Sequence, residues 1–151
     1  MDTGLIVIIA LFVIFQIKHF LADYVWQGSY MFGKFKSGPA YILPLLAHVS
    51  VHGALTTLIV WAFTNNIWYS VYSAVFDMTI HFLMDRIKAS PNLMGRWKAN
   101  TNGYTDKERR DNRLFWVCLG FDQMIHHLTD YVIIYFIIRY ILVASQTTQM
   151  F

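Results

Sequence analysis

The apolar residues of this chain fall in four long blocks, from about Leu5 to Trp26, Tyr41 to Phe63, Ile67 to Ile87 and Leu114 to Val143, joined by short polar connections. A hydrocarbon core needs roughly 20 helical residues to cross, and continuous blocks of this length, instead of narrow amphipathic stripes, are the pattern of membrane spans. Helix punctuation agrees with the blocks. Gly38-Pro39 precedes the second, Asn65-Asn66 separates the second from the third, and Ser90-Pro91 ends the third. The pattern predicts an all-α, four-helix transmembrane bundle forming one integral membrane domain over residues 1–151, with a polar loop over 89–113 in which Asn102-Gly103 is a turn. A soluble bundle stays open as the alternative, because polar residues interrupt the blocks before any strictly apolar run of about 18.

Composition sharpens this picture. The chain is 56% hydrophobic and 17% aromatic against 14% charged, which favours lipid over water as the surrounding solvent. Asp2 stands where a signal peptide would carry a basic residue and no small-x-small site follows Phe15, so the first block is expected to stay as an anchor. The connection from Gly28 to Ala40 holds Lys34 and Lys36, and that from Ala89 to Arg113 holds Arg96, Lys98, Lys107, Arg109, Arg110 and Arg113. The other connection and the tail carry none, so the positive-inside rule places both termini outside and both basic loops in the cytoplasm. Cys118 is alone and inside the fourth block, so it forms no internal disulfide.

Candidate chemistry lies inside the blocks. His19/Asp23, His48/His52, Asp77/His81/Asp85 and Asp122/His126/Asp130 repeat at a spacing of four, which stacks side chains on one helix face. With six His and eight Asp in 151 residues, about one His in six should find such a partner by chance, whereas five do. Counting from the cytoplasmic ends of the blocks, His19, His48, His81 and Asp122 are six to eight residues in, a shared depth of roughly 10 Å at ~1.5 Å per residue. Asp23 and Asp85 fall one turn nearer the cytoplasm; His52, Asp77 and His126 fall one turn deeper and Asp130 two.

The plainer reading is polar glue between helices or a proton relay. Several Asp residues buried together would repel, however, and each costs several kcal/mol in a bilayer, which a divalent cation offsets with one species. Nitrogen and oxygen donors without thiolate point to Zn first, with Mn or Fe as alternatives. The donors exceed the needs of one ion, so two ions are expected, with His19, Asp23, His48, His52, Asp77, His81, Asp122 and His126 as metal ligands. Asp85 and Asp130 are the catalytic or orienting candidates. The only Glu is Glu108, outside the blocks, which excludes the HExxH zinc proteases and Glu-bridged di-iron bundles. Serine-elbow, P-loop and Rossmann glycine motifs are also absent.

The segments HFLADYVWQ (His19 to Gln27), HVSVH (His48 to His52), HFLMDRIK (His81 to Lys88) and DQMIHH (Asp122 to His127) resemble, in order, the four signatures of the small bacterial and phage membrane proteins grouped as domain of unknown function 3307. The resemblance implies this architecture, these positions and a multi-pass bacterial inner membrane protein, which makes the outer side periplasmic; it implies no activity. A fainter similarity to membrane-embedded metal-dependent hydrolases bears on activity only by analogy.

Neighbouring residues are weighed separately. Gln27 and Gln123 are open between hydrogen bonding to a ligand or carboxylate and ordinary interhelical bonding. Lys18 is expected to snorkel, with pairing to a buried Asp as the alternative. Arg86 and Lys88 stand where a phosphate headgroup meets the end of the third helix and are expected as ordinary topology charges, with a substrate role as the alternative; His127, about 100° around the helix from His126, is expected to pack or sit at the interface. Around Tyr104, the basic residues Lys107, Arg109, Arg110 and Arg113 are diluted by Asp106, Glu108 and Asp111, so the expected partner is anionic lipid and not specific nucleic acid. The resulting expectation is a dinuclear metal centre in the cytoplasmic half, acting as a hydrolase of a lipid-linked or phosphoester substrate. A divalent metal or proton transporter and a non-catalytic membrane factor with a structural metal are the alternatives, and oligomeric state is left open.

Overall fold

A computed structural model describes residues 3–90, Leu93 and residues 105–148. The expected turn at Asn102-Gly103, the basic residues Arg96 and Lys98, and Pro91 lie outside the described residues. The chain runs as α1 (Thr3–Phe20), α2 (Ile42–Thr64), α3 (Ile67–Ala89), a short α4 (Asp106–Asp111) and α5 (Arg113–Thr148).

Each boundary has a local cause. Beyond Phe20, α1 widens into a π-helical turn over Leu21–Val25, closed by the Trp26 N–H donating to the Leu21 carbonyl at 2.8 Å. The connection that follows is two 3₁₀ turns, Met31–Phe35 and Gly38–Tyr41, with Gly38 at φ +64° and Pro39 opening the second. The first of these turns docks on α2: a Cβ on Gly33 would come within 2.6 Å of Pro44 Cγ. Asn65 ends α2 in the left-handed region at φ 48°, and Asn66 caps α3 by accepting the Tyr69 N–H at 3.0 Å. Thr105 and Glu108 form a reciprocal capping box at α4. The bonds from Thr105 hold the Glu108 carboxyl below its ordinary pKa.

Three segments, Gly4–Val25, Gly38–Thr64 and Arg113–Gln146, are long and apolar enough to cross a membrane. The four long helices of the expected bundle are present; α3 has the length of a span but is less apolar than the other three, carrying Asp77, Asp85, Arg86 and Lys88. Asp77 and Asp85 are buried, and α3 packs most closely on α2, where a Cβ on Gly53 would overlap the Met78 side chain. The bundle is apolar outside and polar within, the inverse of a water-soluble protein: Leu5, Ile9, Val13, Leu43, Leu58, Tyr135 and Phe136 are exposed, while Lys18, His48, His52, Asp77 and Asp122 are buried. Exposed aromatic residues mark both ends, with Tyr24, Trp26, Tyr30 and Trp116 at one and Trp61, Trp68 and Tyr72 at the other. Toward the Asn65 end the axis is filled by Leu11, Phe15, Val60, Ile133, Ile134 and Ile137.

Candidate metal centre

The polar core between these ends has three layers. The deepest is built on Lys18, whose ammonium is fully buried and donates to Asp77 Oδ2 at 2.8 Å and Asp130 Oδ1 at 2.6 Å. Thr56 Oγ1 is a second donor to Asp77, at 2.5 Å. Lys18 therefore does not snorkel. Carboxylates from α3 and α5 offset the loss of water at its ammonium, so its tip stays inside the bundle.

The middle layer holds the histidines. The His52 and His81 rings lie 3.9 Å apart between centroids, those of His81 and His126 lie 4.0 Å apart, and His48 is 5.0 Å from His52. Asp23, on the π-helical turn, reaches three imidazoles from two helices, α1 and α2. His52 Nε2 is 3.0 Å and His48 Nε2 3.3 Å from Asp23 Oδ1, and His19 Nε2 is 3.0 Å from Asp23 Oδ2. The layer nearest the loops is built on Asp85, gripped by Lys34 at 2.9 Å on one oxygen and Lys88 at 3.0 Å on the other. Lys88 also reaches Asp122 at 2.5 Å, and Lys34 donates to Gln27 at 2.8 Å.

All ten candidate residues thus converge from α1, α2, α3 and α5. Three lysines converge with them. Lys34 is the larger surprise: read along the sequence as a loop charge, it is buried because the Met31–Phe35 turn folds back onto α2 and α3. Lys88 turns inward to the carboxylates, while Arg86 stacks 3.7 Å over the Tyr41 ring. Gln123 accepts from His19 Nε2 at 2.9 Å, and Gln27 orients Lys34. His127 belongs to the edge of the cluster, its ring 4.6 Å from that of His19, and is half-buried. Asp130, expected two turns below the first layer, comes within 4.8 Å of ligand atoms of His19 and His127.

Two sets of donors fit a metal ion best. In the Asp23, His48 and His52 group the potential ligand atoms lie within 4.8 Å of one another, and the two His–Asp separations of 3.0 and 3.3 Å match the roughly 3.0–3.5 Å between donors each about 2.0–2.2 Å from a shared ion. His48 Nε2 is also 3.1 Å from Asp85 Oδ2, yet makes no directed hydrogen bond to either carboxylate. The His19, His81 and His126 group is a neutral trio. His19 commits Nε2 to Gln123 and His81 donates Nδ1–H to the Asp77 carbonyl at 3.1 Å, leaving His19 Nδ1, His81 Nε2 and both His126 nitrogens buried with no hydrogen bond among the described residues. An outer partner on one ring nitrogen and a free lone pair on the other is how ligating histidines are oriented. Further groups, His52/Asp77/His81 and Asp85/Asp122/His126, share residues with the lysine-bound layers.

The four segments that contribute these donors lie within residues 11–151, the stretch that matches the family model described as protein of unknown function DUF3307. The chain belongs to this family. No curated protein and no solved structure matches it. For this DUF3307 member, the arrangement itself carries the chemistry: buried nitrogen and oxygen donors, three internal cations, and an outlet. The outlet is a cavity of about 180 Å³ lined by Asp23, Tyr24, Gln27, Lys34, Asp85 and Lys88, with Phe35, Phe115, Leu119 and Gln123 completing its wall.

Proposed function

We propose that the protein is a membrane-embedded metal-dependent hydrolase acting on a lipid-linked or phosphoester substrate. The observation that carries this reading is that the Asp23, His48 and His52 group meets the cavity through Asp23. Three protein donors with a fourth direction facing a cavity is the plan of hydrolytic metal sites, whereas structural sites are closed. Zn, Mn or Fe suits the donors. Held by Asp23, His48 and His52, such an ion would supply an activated water and Lewis acidity toward the scissile ester.

The remaining work falls to the chain's own residues. Asp85 lines the cavity with both oxygens fixed by Lys34 and Lys88, so it is placed to take a proton from the attacking water. The two ammonium groups stabilise charge developing on the departing oxygen. Phe35, Phe115 and Leu119 limit water entry. Asp130, the other catalytic candidate, does not line the cavity; its role in this reading is to hold Lys18. In this reading membrane lipid is the surrounding partner, and the positive-inside rule favours a cytoplasmic cavity. Transport is less well supported, because a through-path would have to pass the Lys18 layer and the apolar plug beyond it.

Asp85→Asn is the test of the reaction. Metal content by elemental analysis should stay near wild type, while hydrolysis of a lipid phosphoester falls at least about tenfold, equivalent to about 1.4 kcal/mol. Wild-type protein that holds metal but turns over nothing on a broad panel of lipid phosphoesters would remove the hydrolase reading. Orientation is tested in a Cys118→Ala background: a cysteine at Asn65 should react with an impermeant thiol reagent in intact cells and one at Asn102 should not. The reverse labelling would put the cavity on the outer face.

A further inference from the structure

The cavity and the charge of the buried core together constrain what enters it. Five carboxylates, of Asp23, Asp77, Asp85, Asp122 and Asp130, share the core with the three ammonium groups of Lys18, Lys34 and Lys88. Counted by formal charge, with every carboxylate ionised and the histidines neutral, the core carries two negative charges, which one divalent ion balances. A second divalent ion would leave two positive charges uncompensated in an apolar bundle, which is costly unless an anion accompanies it.

The two donor sets differ in just this respect. Asp23 gives the first a carboxylate of its own, and no lysine touches Asp23 among the described residues. The second, His19, His81 and His126, holds no carboxylate, yet four of its six ring nitrogens are buried without a hydrogen bond among the described residues, and one ligand atom from each residue lies within 4.8 Å of the others.

The cavity supplies a place for the missing anion. An ammonium has three donors. Lys34 spends two, on Gln27 and Asp85, and Lys88 spends two, on Asp85 and Asp122, so among the described residues each has one donor left, and both residues line the cavity. Tyr24 and Gln27 add neutral polar groups to the same wall. The cavity also lies at the level of exposed Tyr24, Trp26, Tyr30 and Trp116, the aromatic band that marks the headgroup zone of a bilayer. Its Phe35, Phe115 and Leu119 side is apolar, as the stem of an amphiphile requires.

We infer that the cavity binds a phosphoryl anion, on a lipid headgroup or as free phosphate, and that this anion brings the second metal ion: the resting protein holds one divalent ion, at Asp23, His48 and His52, and the anion-bound protein holds a second at His19, His81 and His126. This rests on the metal-dependent reading above, narrows its substrate to one carrying a phosphoryl anion, and adds the order of loading. Because linkage is reciprocal, the anion should also bind more tightly as the second ion is supplied.

The test uses full-length protein in a neutral detergent, titrated with manganese(II) and read by loss of the free-ion EPR signal. One equivalent should bind without phosphate and two with inorganic phosphate, the second ion gaining at least tenfold in affinity. Protein in phosphatidic acid nanodiscs should take two equivalents without added phosphate, and protein in phosphatidylcholine nanodiscs one, after subtraction of protein-free discs. That contrast assigns the anion to a lipid headgroup; a response to inorganic phosphate alone assigns it to the free ion. His81→Ala should keep the first ion and lose the phosphate-driven second, and Lys34→Gln should weaken the phosphate response while binding one ion as before. Two equivalents in the absence of any anion, or one equivalent under every condition, overturns the inference while leaving a metalloprotein; no bound ion at all overturns the metal reading beneath it.

Discussion

Lys18 and Asp23 lie little more than a helical turn apart on the same segment, and the layers built on them deal with buried charge in opposite ways. In the Lys18 layer each carboxylate has a cation of the chain itself at 2.6–2.8 Å, and the apolar plug of Leu11, Phe15 and Ile133 closes the space beyond. Asp23 is met by His19, His48, His52 and Gln123 at 3.0–3.4 Å, all neutral groups or groups that charge only on protonation, and it faces a cavity. A layer whose charges are matched within the chain is complete as it folds. One left with an unmatched carboxylate among free imidazoles is complete only with something from outside. The comparison separates scaffold from site within a single polar core, where burial alone would not, since both layers are almost entirely inaccessible.

The largest effect should come from breaking the closed layer. Lys18→Met keeps the length of the side chain and removes its charge, stranding Asp77 and Asp130 together. Breaking a buried pair on one side costs about 3–5 kcal/mol, so thermal unfolding in detergent should move down sharply while metal uptake by surviving folded protein stays near one equivalent. A variant that kept its stability and lost its metal would erase the distinction between the layers.

Asp23→Asn should do the opposite. It removes an uncompensated charge, so the metal-free variant should unfold no earlier than metal-free wild type. The loss should appear in affinity for manganese(II) or zinc, weakened by more than about a hundredfold, since a direct ligand should matter more than an outer partner worth about 10–100-fold. A destabilised apo variant with intact affinity would make Asp23 a structural residue.

What was legible in the sequence follows from periodicity. The His and Asp positions repeat at four along each helix, and any helix that buries that face must bring them inward, so their convergence needed no knowledge of packing. The lysines carry no such signal. A lysine in a connection between apolar blocks reads as topology, and only the docking of the Met31–Phe35 turn through Gly33 and Pro44 turns Lys34 into a buried counter-ion. Lys18 offered one clue, its place in the middle of an apolar block beside His19, and the number of buried carboxylates was a reason to seek internal cations before metal. The π-helical turn that swings Asp23 toward α2 left no trace in the pattern, because it is set by tertiary contacts. The weaker apolarity of α3 was visible in Asp77, Asp85, Arg86 and Lys88, but block length outweighed it.

The smallest effects sharpen where the site ends. Gln123 holds His19 through Nε2, so Gln123→Ala should free that ring to rotate and weaken metal binding about tenfold, the lower end for an outer hydrogen-bond partner. His127 also touches His19, with ring centroids 4.6 Å apart, but the contact fixes neither nitrogen of His19, and His127 is half-buried at the cluster edge. His127→Ala should therefore change affinity less than about threefold, as competition titration against a metal indicator would read, because stacking alone is worth roughly 0.5–1.5 kcal/mol and only part of it depends on the ion. Equal losses in the two variants would make His127 a ligand together with Asp130, and the layer that Lys18 closes would then be part of the metal centre.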